Sequence, residues 1–310
     1  MGKLKVDFLG MSLDNPIIPA SGTFGFGLEF ARFYDLNLLG SFTTKAITIY
    51  PRFGNKTPRI AETAGGLLNA IGLQNPGVDH AVSEIMPKIA EVYHKQIIAN
   101  VAGRTFEEYF SVIEKLNSCK EIGAYEINIS CPNVASGGMA FGVDPEQTST
   151  LIRRCKQISA KPLIVKLSPN VTDIVLIARA AEAAGADALS LINTLIGMVI
   201  DRKTRRPILG NLTGGLSGPA IKPVAIRMVY QVYKAVQIPI IGMGGVMNAE
   251  DVLDFILAGA TCVGVGSANL RDPLACKKII DRLPKLMEEL GWDSINSMIG
   301  GAHENSHHRL

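Results

Sequence analysis

Aromatic residues make up only 6% of this 310-residue chain, and basic residues form no block anywhere along it. A nucleic-acid surface needs a basic stripe or a stacking platform, and the chain offers neither. The formal net charge of +3 arises from acidic and basic residues interspersed throughout. No apolar run reaches membrane-spanning length, and the opening residues carry no apolar signal core. The five cysteines, Cys119, Cys131, Cys155, Cys262 and Cys276, are scattered and form no Cys-x-x-Cys pair. That argues against a zinc or iron–sulfur site on this chain and suits a reducing compartment, so a cytoplasmic protein without metal is expected. A dinucleotide fingerprint is also missing: GMGG at 242–245 and GVG at 264–266 are too short, and neither follows the first strand.

What the chain does contain is 47% hydrophobic residues, enough for a large core. Short β-branched runs recur at 15–20, 41–45, 96–100, 125–128, 163–166, 188–192, 238–242 and 262–266. Amphipathic stretches lie between them at 106–117, 145–158, 171–184, 220–236 and 249–258. Strands alternating with helices imply a parallel sheet, and eight strands favour an α/β fold closed as a single (β/α)8 TIM barrel over residues 1–310. Gly185 and Gly259 stand where helices should stop in the left-handed conformation. Residues 6–13 read as an N-terminal β-hairpin under the barrel. The connections 46–82, 131–144 and 193–217 follow strand carboxyl ends and should lie over one face as binding loops. Residues 300–310 read as a flexible tail whose three His are at most weak metal ligands.

The strand ends carry the chemistry. They bring together Ser21, Lys45, Asn100, Asn128 with Cys131, Lys166, Asn193 with Thr194, Gly244 with Gly245, and Gly266 with Ser267. This set contains no carboxylate, and two lysines without a nearby acid suit an anionic ligand. The glycine turns after the last two strands are where barrels often hold phosphate; the alternative is tight turns with no ligand. Lys166 ends an apolar run and needs an anion nearby, unless it snorkels to the barrel rim. NAIGLQNPG at 69–77 has clear turn chemistry, yet with Asn128, Asn133 and Asn193 it resembles an amide cage for a planar ring bearing carbonyls and a carboxylate. A lone thiol such as Cys131 is commonly just a small hydrophobe. Its place before the glycine-rich SGGMAFG of 136–142 favours proton transfer as thiolate, with Gly137 and Gly138 hinging a lid.

These residues resemble a known family. The segments NPIIPASG (15–22), PRFGN (51–55), NAIGLQNPG (69–77), IANVAG (98–103), NISCPN (128–133), VKLSPN (165–170), INTLIG (192–197), TGGLSGP (213–219) and IIGMGG (240–245) are similar to those of class 1 dihydroorotate dehydrogenases, most closely the B type. The resemblance spans about residues 6–299 and implies oxidation of (S)-dihydroorotate to orotate in pyrimidine synthesis on an FMN barrel. It implies Cys131 as the base at C5, with hydride passing from C6 to N5 of FMN. It assigns substrate to Lys45, Asn69, Ala70, Ile71, Gly72, Leu73, Asn128, Asn193 and Thr194. It assigns FMN to Ser21, Lys45, Ala46, Asn100, Asn128, Lys166, Ile192, Gly218, Gly244, Gly245, Gly266 and Ser267. Ser267 stands where many relatives have Thr.

The B-type resemblance further implies that electrons reach NAD through a partner subunit carrying FAD and a [2Fe–2S] cluster. The expected assembly is a homodimer core within a heterotetramer of two plus two subunits. Rival readings are an A-type enzyme that uses fumarate directly, a dihydropyrimidine dehydrogenase-like FMN barrel, a hydroxy-acid oxidase, and a barrel that binds a phosphorylated ligand without turnover. The oxidase would need a strand-end His, which is missing.

Overall fold

The computed structural model describes residues 2–129 and 141–304. Cys131, Asn133 and the expected lid glycines Gly137 and Gly138 lie outside the described residues. The barrel strands are β1 (Ile17–Pro19), β2 (Ile97–Val101), β3 (Ile122–Asn128), β4 (Leu163–Lys166), β5 (Ala188–Leu191), β6 (Ile240–Met243) and β7 (Cys262–Val265), and every residue in them is buried. Continuous burial is what parallel strands covered on both faces require. They form one parallel sheet in the order β1-β7-β6-β5-β4-β3-β2.

The segment around Thr43 closes this sheet. Its amide donates to the Pro19 carbonyl of β1 at 2.9 Å, while the Thr44 amide donates to the Ile98 carbonyl of β2 at 2.9 Å. The expected strand at 41–45 is therefore an eighth stave, held by isolated bridges rather than a ladder.

Helices cover the outside. Phe106–Leu116, Pro145–Ile158 and Ala249–Ala258 agree with the expected bounds to within a residue. Their starts follow from side-chain caps: Thr105, Asp144 and an Asn248–Asp251 capping box. The helix expected from 171 begins at Ile174, because the Asp173 carboxylate accepts from the Val175 amide at 2.8 Å. The stretch expected at 220–236 divides into a 3-10 turn, Pro219–Ile221, and the helix Lys222–Tyr233. Ala275–Glu289, a helix absent from the sequence reading, buries Cys276, Ile279, Leu283, Leu286 and Met287 on one face.

Beneath the barrel, Val6–Phe8 and Met11–Leu13 form the expected hairpin. Met11 packs against Gly123 at the start of β3, where any side chain on Gly123 would meet the Met11 sulfur. Above the barrel, two of the long connections are not irregular. Ile60–Thr63 and Gly66–Asn69 from one, with Leu195–Gly197 and Gly214–Ser217 from the other, make a four-stranded antiparallel sheet.

The tail is ordered further than expected. Gly301–Glu304 is helical, and the His303 ring stacks on Tyr230 at 3.7 Å between centroids. No helix among the described residues is long and apolar enough to cross a membrane.

Candidate active site

A cavity of about 380 Å³ opens at the carboxyl ends of the strands, within the usual range for small-molecule sites. Ser21 follows β1, and Lys45 with Ala46 follows the eighth stave. Asn128 closes β3 and Lys166 closes β4. Ile192, Asn193 and Thr194 follow β5, Gly244 and Gly245 follow β6, and Gly266 and Ser267 follow β7; all of these line the cavity. Asn69, Ile71, Gly72 and Leu73 reach it from the covering sheet and the loop behind it. Gly22 lines it beside Ser21, and Thr23, Ile60, Leu67, Ser217, Ile221, Met243 and Leu270 also line it and were not anticipated. Ile60, Leu67, Ile221 and Leu270 are apolar side chains outside every quoted motif, and only the tertiary fold brings them to the mouth.

Three residues expected at the site do not line this cavity. Ala70 is buried in a small cluster with Ala61, Leu68 and Leu209, on the other side of its strand end from Asn69. Gly218 packs backbone against backbone on Gly66, where a Cβ would lie 2.6 Å from the Gly66 Cα. Its φ of +108° and that contact make its glycine a steric requirement. Asn100 lies beneath the cavity floor, fully buried, and does not line it.

No carboxylate lines the cavity, but the expectation that neither lysine has an acid nearby is overturned for Lys166 by Glu126. This residue points inward from β3 and is wholly buried. Its Oε1 accepts from Asn100 Nδ2 at 2.5 Å and from Lys166 Nζ at 3.4 Å, while Oε2 accepts from Ser190 Oγ at 2.7 Å. Period-two counting along a run buried on both faces cannot tell inward from outward, so Glu126 passed as part of an apolar strand. Asn100 Oδ1, on the same amide, is buried without a hydrogen-bond partner among the described residues.

The amides divide by role. Asn75 is spent on structure. Its Oδ1 accepts from the Thr48 and Gly77 amides at 3.2 and 2.9 Å, and its Nδ2 donates to Thr48 Oγ1 and the Leu73 carbonyl, each at 2.7 Å. Asn170 pins the loop after β5, donating to the Thr194 carbonyl at 3.0 Å and accepting from the Ile196 amide at 2.9 Å. Asn69, Asn128 and Asn193 face the cavity. Tyr109 supports Asn128 from behind, its hydroxyl donating to the Asn128 carbonyl at 2.7 Å.

The glycine turns leave donors and space. Among the described residues, the amides of Gly245, Gly266 and Ser267 have no backbone acceptor. A Cβ on Gly266 or Gly22 would meet nothing within 4 Å. None of the four described thiols lines the cavity: all are buried, and burial pushes Cys155 up to about 12 and Cys119, Cys262 and Cys276 upward as well.

Residues 3–287 match the family model of dihydroorotate dehydrogenase. The catalytic subunit of dihydroorotate dehydrogenase B (NAD(+)) from Geobacillus kaustophilus is 58% identical over 310 residues, covering 100% of this chain and 99% of that protein. The same subunit from Anoxybacillus flavithermus is 57% identical over 98% of this chain and 97% of that one. That of Halalkalibacterium halodurans is 56% identical over 99% of this chain and 100% of that one.

Proposed function

The chain belongs to the dihydroorotate dehydrogenase family, and from that premise we propose that it oxidises dihydroorotate to orotate as the FMN-bearing catalytic subunit of a B-type enzyme. The observation that carries this reading is the cavity at the strand ends. It sets a half-buried Lys45 and a buried Lys166 among the amides of Asn69, Asn128 and Asn193, beside glycine turns with unspent amides.

The donor set fits FMN. Unspent amides at Gly245, Gly266 and Ser267 suit a phosphate, and the space left at Gly22 and Gly266 suits close approach of a ligand. Lys166 suits a ring that gains negative charge on reduction. When bound, FMN supplies the acceptor for the C6 hydride. Ser21, Ala46 and Ile192 would hold it from the remaining strand ends.

Lys45 and the three amides would hold dihydroorotate, pairing its carboxylate with an ammonium and its ring carbonyls and N–H groups with side chains that both donate and accept. Thr194 and residues 71–73 would complete that wall, with the apolar Ile71 and Leu73 excluding water. Cys131 would take the proton from C5 as thiolate. Loss of that proton and of the C6 hydride leaves the C5=C6 double bond of orotate.

Electrons would leave to NAD through a partner subunit carrying FAD and [2Fe–2S], in a heterotetramer built on a homodimer of this chain. The relatives' names, which specify NAD(+) and a catalytic subunit, support that division. Free, buried thiols accord with a cytoplasmic site of action.

The test is anaerobic addition of dihydroorotate to the FMN-loaded chain. Bleaching of the visible flavin absorption is expected, and its absence in a folded, loaded sample would sink the substrate assignment. Reoxidation by NAD is expected only with the partner present; efficient reoxidation by fumarate without it would favour the A-type reading.

A further inference from the structure

Glu126 touches the cavity-lining Lys166 and has no part in the proposed proton and hydride transfers. It lies inside the barrel at 0% exposure, in a layer that barrels ordinarily fill with branched apolar side chains. A carboxylate there is costly unless its lone pairs are met, and an apolar replacement would commonly serve stability as well or better. Here three neighbouring strands commit polar side chains to it: Asn100 of β2 at 2.5 Å, Lys166 of β4 at 3.4 Å and Ser190 of β5 at 2.7 Å. Of these partners only Lys166 both carries charge and lines the cavity. Asn100, having given its Nδ2 to the carboxylate, leaves its Oδ1 unmatched.

We propose that Glu126 is a positioning residue: the buried counter-charge that fixes the Lys166 ammonium at the cavity floor and, through it, sets the reduction potential of the bound flavin. This rests on the FMN reading of the cavity. An ammonium has three donors and no fixed direction of its own, so the carboxylate beneath it decides where it stands. The carboxylate also offsets part of the positive potential that would otherwise favour a reduced, more negative ring. Glu126 thereby holds the flavin at a lower potential than Lys166 alone would give, which eases passage of electrons onward to the next acceptor.

The experiment measures flavin midpoint potentials on the full FMN-loaded chain by equilibration with a redox dye. Glu126→Gln keeps the shape and an acceptor for Lys166 but removes the charge. It is expected to shift the reduced-to-oxidised equilibrium at least tenfold toward reduced, about 30 mV for a two-electron couple. In a Lys166→Met background the same substitution is expected to leave the potential unchanged, because the ammonium through which Glu126 acts on the flavin is gone.

An unchanged potential in E126Q, or an equal shift with and without Lys166, would overturn the assignment. Should E126Q alone not fold, K166M and the E126Q/K166M double variant carry the same comparison: equal potentials are expected, and a tenfold difference overturns it. Failure of the underlying reading looks different, since the wild-type chain itself would then take up no FMN or not be bleached by dihydroorotate.

Discussion

Asn75 and Asn69, six residues apart in one loop, show how the same side chain serves two ends. Asn75 satisfies two backbone amides, a hydroxyl and a carbonyl at 7% exposure, while Asn69 faces the cavity. Asn75→Ala strands the Thr48 and Gly77 amides in a buried place and is expected to cost about 2–4 kcal/mol of stability, read by denaturant unfolding. A loss below 0.5 kcal/mol on that scale would mean water replaces the side chain. Cys131 is the residue whose proposed work is proton removal. Cys131→Ser replaces a thiol with a far weaker acid, so flavin reduction near neutrality should slow by about 10²–10⁴-fold. Stopped-flow bleaching with dihydroorotate measures this, and a wild-type rate in the serine variant would remove Cys131 from the mechanism.

The elements most legible in the sequence are those whose signals are local. Helices capped by Thr105, Asp144 and Asn248, and ended at Gly259 with φ +116°, have boundaries that the sequence declares. The covering sheet was not legible, because Gly66–Asn69 and Gly214–Ser217 are short, glycine-rich and paired across 146 residues, as from Asn69 to Gly215. The start of the tail departs from expectation for a similar reason: Gly300 and the His residues signal disorder locally, but His303 finds Tyr230 and its ring nitrogen lies 3.1 Å from the Ala258 carbonyl. These contacts sit where the helix Ala249–Ala258 ends, on the barrel face opposite the cavity. Truncation after Gly300 is therefore expected to lower stability by about 1–2 kcal/mol, the worth of one stacked ring and one hydrogen bond. Flavin reduction by dihydroorotate should be unchanged, and a truncated chain that folds yet loses that reaction would show the tail reaching the site.

At the scale of the whole molecule, the sequence conveyed which residues gather at the mouth better than what lies beneath it. Strand-end residues such as Lys45, Asn128, Lys166 and Asn193 could be placed because a parallel barrel sends all its carboxyl ends to one face. Glu126 could not, since its partners Asn100 and Ser190 are 26 and 64 residues away and meet it only once the sheet is curled. The same convergence makes the cavity a joint between staves that are otherwise held edge to edge, with the 42–44 stave secured by isolated bridges. A ligand touching residues at the ends of every stave but β2 ties those edges together, so FMN binding should stabilise the entire barrel rather than one lobe. At a hundred times its Kd, FMN is expected to add about 2.7 kcal/mol to unfolding of the stripped chain. Riboflavin, which has the same ring and no phosphate, cannot use the amides of Gly245, Gly266 and Ser267 and should stabilise markedly less at the same concentration. Thermal unfolding of the stripped chain with each ligand decides the point: equal stabilisation by the two would take the phosphate away from those turns, and none from either would take the flavin away from this cavity.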